Sequence, residues 1–427
     1  MAKKTDKTAN IDPDVTIIGK GSPYVTKSKP FKIKKAACMG IPFQKVIIKG
    51  EVETIGEDAF RYCKNLSSVE MQDGVKEIKW NAFFCCSSLT SLVIPGSVIR
   101  IEENAFAGCT GLTSLVIPHG VKEIGNHAFD GCTNLTSVVI PDSVTEIGGS
   151  AFAGCDSLAT DLVWKNILLR TAKSNSEKIV IPDSVTEIGK GSFSDGSQTG
   201  GERQIRVAIP DMVTTIQDGA FYNCGGLISV ELPDSITAIG AQTFSHCTAL
   251  ASIIIPDGVT AIGDQAFFGC TSLTSVVIPE SVTDIGCFAF CNCYGLTSIR
   301  IPDGVTEIKK NTFTGCRSLE TIVLPGNIKV IGNRAFLGCS SLTSIEIPWS
   351  VKEIEEKAFY GCTGLVSVVI HDGVEKIGRD AFNGCTNLTS VVIPDSVKTI
   401  ENGAFQDCPK LKKVVVPKSA KVGSKAF

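Results

Sequence analysis

The sequence of 427 residues is poor in the residue type that most often carries acid-base and metal chemistry, because it holds only four histidines. His119, His127, His246 and His371 stand at unrelated places, so no Ser-His-Asp or Cys-His arrangement can be assembled around them. No apolar run reaches the 18 residues of a membrane-spanning helix, and the N-terminus lacks the apolar core of a secretory signal. We therefore expect no enzyme, no metal or other cofactor, and no transmembrane segment.

Positive charge is concentrated at the two ends of the sequence. Residues 1–50 hold 11 lysines and three aspartates, and residues 409–427 hold six lysines and no acid, so the net charge of −3 leaves −17 for residues 51–408. An acidic body argues against a nucleic-acid partner. Two interpretations stay open. The basic ends contact an anionic surface, or, as we favour, they keep the two ends of a stacked array soluble and prevent end-to-end stacking of molecules, so that the protein is a monomer.

One phenylalanine recurs along nearly the whole sequence at a spacing of 23 residues, broken only by intervals of 41 and 28 and a final interval of 22. It defines 16 units, marked by Phe60, Phe83, Phe106, Phe129, Phe152, Phe193, Phe221, Phe244, Phe267, Phe290, Phe313, Phe336, Phe359, Phe382, Phe405 and Phe427. A unit of this length cannot bury its own apolar face, so neighbouring units must stack.

Residues 132–154 show how one unit is built. Val138 and Ile140 alternate as in a strand, and Pro141 ends the strand because it has no amide hydrogen to donate. Gly148 allows a bend, and the pair at residues 151–152 turns an alanine and a large ring inward on a short helical turn. Stacked units place equivalent strands in parallel, about 4.8 Å apart.

The pattern Leu-x-x-Val-x-Ile-Pro-x-x-Val-x-x-Ile-Gly-x-x-Ala-Phe-x-x-Cys covers roughly residues 46–427. It resembles the BspA-like (Treponema-type) leucine-rich repeat family. The resemblance implies a right-handed, curved leucine-rich-repeat solenoid with a parallel β-sheet on its concave face. Short helical or 3₁₀ turns and loops would lie on the convex face. It also implies adhesion or protein binding, often at a bacterial or protist cell surface.

Interruptions of the repeat predict how the chain is organised. We expect a basic polar tail and N-terminal cap over 1–45, a first repeat block over 46–155, an irregular long repeat over 156–210, a second block over 211–408, and a basic C-terminal cap over 409–427. Within the long repeat, two apolar stretches around the polar run 173–176 predict a β-hairpin, and 195–203 predicts a flexible loop.

Cysteine is frequent, but its placement argues against disulfides. Fourteen of the 18 cysteines stand three residues after the repeat phenylalanine, and Cys38, Cys85, Cys287 and Cys291 stand elsewhere. Identical neighbours on both sides specify no pairs, so we expect a buried ladder of reduced thiols. Cys287 and Cys291 cluster with Cys293, but Cys293 belongs to the ladder and should point inward, so we interpret the off-ladder pair as incidental surface thiols and not as part of a zinc site.

The concave strand face is the best candidate for binding. The residue between the two inward strand positions points outward, and 11 of 15 such residues are aliphatic. The candidate protein-binding residues are Val93, Val116, Val139, Glu231, Ile254, Val277, Arg300, Val323, Glu346, Val369 and Val392. Together with Glu70, Val180, Ala208 and Val415 they form what we call the strand-face row. The alternative is that β-branched residues stabilise exposed strands without binding anything.

Three tryptophans depart from the repeat pattern. Trp349 replaces the usual turn aspartate, Trp164 lies in the long repeat and Trp80 is the third. Exposed tryptophan is favoured in binding hot spots, although we expect Trp164 to pack the hairpin onto the coils.

The sequence predicts a non-enzymatic, protein-binding repeat protein acting in adhesion or cell-surface interaction, with an extracellular-matrix or cell-surface protein as partner. An intracellular interaction scaffold is the alternative, and a glycan-binding surface a lesser one. The compartment stays open, because the absent leader and reduced thiols favour the cytoplasm whereas the family resemblance favours the cell surface.

Overall fold

A computed structural model describes residues 16–171, 178–194 and 204–427. The chain divides into two compact units: unit 1 is Met1–Lys173 with Gly191–Gln198, and unit 2 is Ser174–Lys190 with Thr199–Phe427. Each unit is a stack of coils, and each regular coil contributes a face strand and a short return strand. The prediction of a parallel-sheet solenoid of about 16 coils of roughly 23 residues is confirmed.

In unit 1 the described residues form six face strands, six return strands and one hairpin. The face strands are β1 (Thr16–Ile18), β3 (Lys45–Ile48), β5 (Ser68–Met71), β7 (Ser91–Val93), β9 (Ser114–Val116) and β11 (Ser137–Val139). The return strands are β2 (Phe31–Ile33), β4 (Val52–Ile55), β6 (Glu77–Ile78), β8 (Arg100–Ile101), β10 (Glu123–Ile124) and β12 (Glu146–Ile147), and the hairpin is β13 (Leu162–Trp164) with β14 (Ile167–Arg170).

Unit 2 repeats the same arrangement over more coils. Its face strands are β15 (Lys178–Val180), β17 (Ile205–Ala208), β19 (Leu227–Glu231), β21 (Ser252–Ile254), β23 (Ser275–Val277), β25 (Ser298–Arg300), β27 (Thr321–Val323), β29 (Ser344–Ile347), β31 (Ser367–Ile370), β33 (Ser390–Val392) and β35 (Lys413–Val415). Its return strands are β16 (Glu187–Ile188), β18 (Thr215–Ile216), β20 (Ala238–Ile239), β22 (Ala261–Ile262), β24 (Asp284–Ile285), β26 (Glu307–Ile308), β28 (Val330–Ile331), β30 (Glu353–Ile354), β32 (Lys376–Ile377), β34 (Thr399–Ile400) and β36 (Lys421–Val422).

Face and return strands form separate parallel sheets. In unit 1 the face strands pair in the order β1-β3-β5-β7 and β9-β11, and all six return strands form one sheet. In unit 2 the longest runs are the face sheet β29-β31-β33-β35 and the return sheet from β26 to β36. Because partners pair at one fixed repeat position, each side chain lies beside its counterpart in the next coil.

The repeat phenylalanines form the core. Phe83 and Phe106 are fully buried and stack with their centroids 5.1 Å apart and planes within 2°. In unit 2 the same stacking runs from Phe221 to Phe427, with spacings of 5.0–5.6 Å. The spacing of the rings follows the strand spacing, so ring contact and strand pairing reinforce one another.

The expected helical or 3₁₀ turns are wrong, since the described residues contain no helix. Around Phe106, only alternate amides bond within the coil: those of residues 105, 107 and 109 donate to the carbonyls of residues 102, 104 and 106. The amides of Asn104, Phe106 and Gly108 donate instead to residues 126, 128 and 130 of the following coil. A 3₁₀ helix requires consecutive bonds within the segment, so this turn segment is a series of β-turns held by the next coil.

Positive φ angles at two positions make this series of turns achievable. Asn104 has φ 55° and Gly108 has φ 71°, and counterparts of both residues repeat this geometry in other coils. Asparagine and glycine tolerate the left-handed region best, which explains why they are common at these positions.

Two further features lie outside the regular pattern. Before residue 45, β1 and β2 already form a coil, pairing in parallel with β3 and β4. The long repeat contains an antiparallel hairpin whose two-residue turn is Lys165-Asn166, both with positive φ, as in a type I′ turn. The run 173–176, at which we expected the hairpin turn, and the expected loop 195–203 lie outside the described residues.

Candidate functional site: the strand-face row

The strand-face row results from the alternation of side chains along each face strand. In β9, Leu115 is buried whereas Ser114 and Val116 point to solvent. Parallel pairing without a shift places Val116 beside Val139 of β11. The outward position of successive strands therefore forms a row of adjacent side chains on each sheet.

All eleven candidate binding residues are exposed, as the outward-facing assignment requires. Unit 1 holds Val93, Val116 and Val139, and unit 2 holds the other eight. Among the aliphatic members of the eleven, Ile254 has the highest exposure, at 72%. In unit 2 the structure brings them together as adjacent sets: Ile254 with Val277, Arg300 with Val323, and Glu346 with Val369, Val392 and Val415. Binding by these residues stays a prediction.

The row in unit 1 begins earlier than the sequence indicated. Ile17 of β1 and Ile47 of β3 stand in register before Glu70 and Val93. Ile17 is exposed between two buried neighbours. Residues 16–18 do alternate as a strand would. Three residues that lack the rest of the repeat pattern were too few to predict a strand, so this segment was assigned to the tail and cap.

Charged side chains interrupt the row in unit 2 and carry their own partners. The Arg300 guanidinium lies 3.3 Å from Glu280 and 3.7 Å from Asp303. Glu346 Oε1 lies 2.8 Å from His371 Nε2. All of these groups are well exposed, so solvent screens the pairs and they add little to stability. Their structural effect is to hold polar groups at defined points within an apolar surface.

The tryptophans occupy different environments. Trp349 is 68% exposed and follows β29, beside the unit 2 row. Trp80 is also exposed, whereas Trp164 is half-buried and packs against the unit 1 core with the Lys165 ammonium 4.5 Å from its ring centroid. Trp349 is therefore the tryptophan best placed to contact a partner bound on the row.

A second concave feature in unit 1 was not predicted. A groove of about 590 Å³ lies beside Trp80 and is lined by Arg100, Glu102, Glu123 and Glu146. The guanidinium of Arg100 pairs with Glu123 through two contacts of 2.6 and 2.9 Å. Glutamates outnumber the single arginine of the lining, so the groove is suited to a cationic group. The sequence does indicate such a groove, because the first residue of successive return strands is charged, as in Arg100, Glu123 and Glu146.

The repeat pattern identifies the family to which the chain belongs. Residues 31–159, 171–263, 201–320 and 306–427 match the model of the BspA type leucine rich repeat region, which comprises six copies. The chain belongs to the BspA-type leucine-rich repeat family. Members of this family typically bind proteins, and leucine-rich-repeat solenoids of this kind are generally non-enzymatic.

Solved structures of BspA-type and other leucine-rich repeat proteins are similar to this chain. A leucine-rich repeat protein from Bacteroides ovatus is 28% identical with a TM-score of 0.52, the alignment covering 98% of this chain and 85% of that one. A leucine rich cell surface protein from Faecalibacterium prausnitzii is 28% identical over 73% of this chain and 87% of its own, with a TM-score of 0.45. The leucine rich repeat protein of T. pallidum is 31% identical over 43% of this chain and 78% of its own, with a TM-score of 0.32. A search of curated proteins found no match.

The cysteines of this BspA-type chain contribute hydrogen bonds to the coils. All 18 are free thiols, and Cys109 Sγ donates to the carbonyl of Phe83 in the preceding coil at 3.2 Å. Thirteen of the fourteen ladder thiols make a bond of this kind. Twelve of them donate to the carbonyl of a repeat phenylalanine, and Cys63, in the first unit, donates to the carbonyl of Cys38. The remaining ladder residue, Cys224, also has an interaction partner. Cysteine at this position is thus a small apolar residue that also supplies one donor to a buried carbonyl.

Burial also makes thiols in the middle of the unit 2 ladder unreactive. It raises the pKa of Cys270 and of Cys362 to about 12, so neither forms a thiolate at neutral pH. Our interpretation of Cys291 as a surface thiol is wrong: its side chain is buried, and this burial raises its pKa to about 11. Cys287 is half-exposed.

Neither a metal centre nor a membrane span emerges from the part of the chain that the structure describes. Within it, no group of three or more His, Cys, Asp or Glu side chains is placed to hold a metal ion. The same residues include no helix with the length and apolarity needed to cross a membrane.

Proposed function

We propose that this BspA-type chain is a non-enzymatic binding protein that captures a protein partner on its strand-face row, acting in adhesion or cell-surface interaction. The observation that carries the proposal is the row itself. Successive exposed valines and isoleucines in register make a contiguous apolar surface, and such a surface on a repeat protein typically marks an interaction site.

The charged members of the row supply specificity under this proposal. Arg300 and Glu346 hold opposite charges at separate points of the unit 2 row, and Trp349 offers an exposed ring beside it. A partner must place complementary charges at matching points, because a like charge opposite either group costs binding free energy.

The test is binding of the purified chain to a panel of matrix and cell-surface proteins. Val116→Lys probes unit 1 and Val277→Lys probes unit 2, since each places a solvated ammonium in the middle of an apolar contact. We expect at least one of them to weaken binding by tenfold or more, on the order of 1.4 kcal/mol.

Ile99→Lys is the matched control. Ile99 is an exposed aliphatic residue outside the row, and the equivalent positions of neighbouring coils already hold Lys76 and Lys122. Equal weakening by Ile99→Lys would attribute the effect to charge alone and would contradict a role for the row. Binding untouched by both row variants would contradict it as well.

An intracellular scaffold is the second candidate, favoured by the 18 free thiols, which persist most readily in a reducing compartment. Fractionation of the source cells separates the two: native protein at the cell surface supports the adhesin, and native protein confined to the cytosol supports the scaffold.

A further inference from the structure

The strand-face row of unit 2 has a symmetric order of residue types around Val323. From β21 to β33 its members are Ile254, Val277, Arg300, Val323, Glu346, Val369 and Val392, all exposed. Arg300 and Glu346 stand one coil to either side of Val323, and two aliphatic residues follow on each side. Reversing this order therefore places aliphatic residues on aliphatic residues and each charge on its opposite.

These seven side chains belong to one surface, although their strands form three sheets. β21 pairs with β23, β25 with β27, and β31 with both β29 and β33. Between β23 and β25, the Thr297 amide donates to the Thr274 carbonyl at 3.3 Å. β27 and β29 are in contact, and their return strands β28 and β30 pair in parallel. The stack of face strands is thus continuous within unit 2.

We propose that the unit 2 row binds a second copy of this chain face to face, about a two-fold axis that runs along the strand direction through Val323. Under this symmetry β25 lies opposite β29 of the second copy, so Arg300 pairs with Glu346 twice in one dimer. Val323 meets its own copy, and Val277 meets Val369. The proposal rests on the proposed function in using the same row, and it names a second copy as the partner. The monomer expected from the basic ends concerned end-to-end stacking, which this contact does not involve.

Charge complementarity selects a second copy over an unrelated protein. The side chains of Arg300 and Glu346 are 58% and 74% exposed, and their present partners, Glu280 and His371, are exposed as well. Solvent screens these pairs, so exchanging them for pairs across a dimer costs little. Two faces that curve inward stand farthest apart at the centre of their contact, and the long side chains of Arg300 and Glu346 lie beside that centre.

The contact is small, and one residue opposes it. Seven strands of three residues cover about 30 by 10 Å, which suits a weak, reversible dimer. Glu320 is exposed on the central coil and would face its own copy. The equivalent residues of the two neighbouring coils are Thr297 and Thr343, so Glu320→Thr should strengthen association by removing this repulsion.

The test is sedimentation equilibrium of the purified full chain from about 1 to 100 μM, the range of a weak dimer. The mass should rise from 45.2 kDa towards twice that value. Arg300→Glu and Glu346→Arg each place like charges opposite one another twice per dimer. Each should weaken association about a hundredfold, at roughly tenfold for each of the two pairs. An equimolar mixture of these two variants should dimerise again, because every charge then meets its opposite.

The matched control is Lys329→Glu, which reverses a charge on an exposed residue of the same unit outside the row and should leave the dimer intact. Three results would overturn the proposal: a monomer at every concentration, equal loss in Lys329→Glu, or a mixture that stays monomeric. A monomeric chain that still binds a panel protein through Val277 keeps the proposed function and excludes the second copy. A dimer that passes the charge-reversal tests while no panel protein binds keeps the second copy and excludes the foreign partner.

Discussion

Each coil carries two apolar ladders with opposite surroundings. The phenylalanine ladder is buried, and a ring such as Phe313 is covered on both faces by its neighbours. The strand-face row is equally regular, yet its side chains cover one another only along the row and remain exposed outward. Regular repetition of an apolar residue therefore indicates a core in one case and an accessible surface in the other. Position within the coil, not hydrophobicity, determines which.

The largest expected effect is alkaline unfolding driven by the buried thiols. Burial raises the pKa of Cys155, Cys270 and Cys362 to about 12 in the folded chain, whereas an unburied thiol titrates near 9. The unfolded state therefore loses protons first, and stability present below pH 9 is lost as pH rises towards 12. Each such thiol contributes a slope of up to about 1.4 kcal/mol per pH unit.

Urea unfolding at pH 8 and pH 10, under reducing conditions, measures this loss. A variant with Ala in place of Cys270, Cys316, Cys339 and Cys362 should lose less stability between the two pH values than the unaltered chain. An equal loss in both would assign the effect to lysine or tyrosine instead of the thiols.

A substitution in each apolar ladder within one coil sharpens the contrast. Phe313→Ala removes a fully buried ring that stacks at 5.6 Å on Phe290 and 5.4 Å on Phe336, and should cost about 3–5 kcal/mol. Val323→Ala, on the exposed row, should cost less than about 1 kcal/mol. Calorimetric melting of the two variants checks the pair, and similar melting temperatures would contradict the distinction.

The smallest expected effect concerns the turn segment. Gly338 has φ 73°, and no atom lies within 4 Å of the point that an added methyl group would occupy, so Gly338→Ala should destabilise by about 1 kcal/mol through backbone strain alone. Gly326 lacks positive φ and would place its methyl group 3.9 Å from Trp349, so Gly326→Ala should stabilise by about 0.4–1 kcal/mol. Changes of the same sign in chemical denaturation would contradict the assigned turn geometry.

Sequence reasoning predicted the features that depend on side-chain spacing. The 23-residue interval between phenylalanines was sufficient to predict stacking, and the alternation around residues such as Val277 was sufficient to predict which side chains face solvent. Both follow from one residue's relation to its counterpart in the next coil.

Features that depend on backbone hydrogen bonds were missed. The turn segment was expected to be helical because Ala-Phe favours no other local structure strongly. The amides of Asn104 and Phe106 donate to the following coil instead, and no short sequence motif around them indicates such bonds. The turn at residues 165–166 was missed because lysine seldom adopts positive φ. The groove beside Trp80 was missed because it requires four coils to be considered together.

The directions of the backbone bonds have a consequence for how long such a stack can grow. Around Phe106, three turn-segment amides donate towards the following coil, while the amides of Ile99, Arg100 and Glu102 donate to the preceding one. Their peptide dipoles oppose each other, whereas those of an α-helix all align and leave partial charges at its ends. Adding coils therefore adds almost no net dipole along the stack, and a long array accumulates no backbone partial charge at its ends that would limit its length.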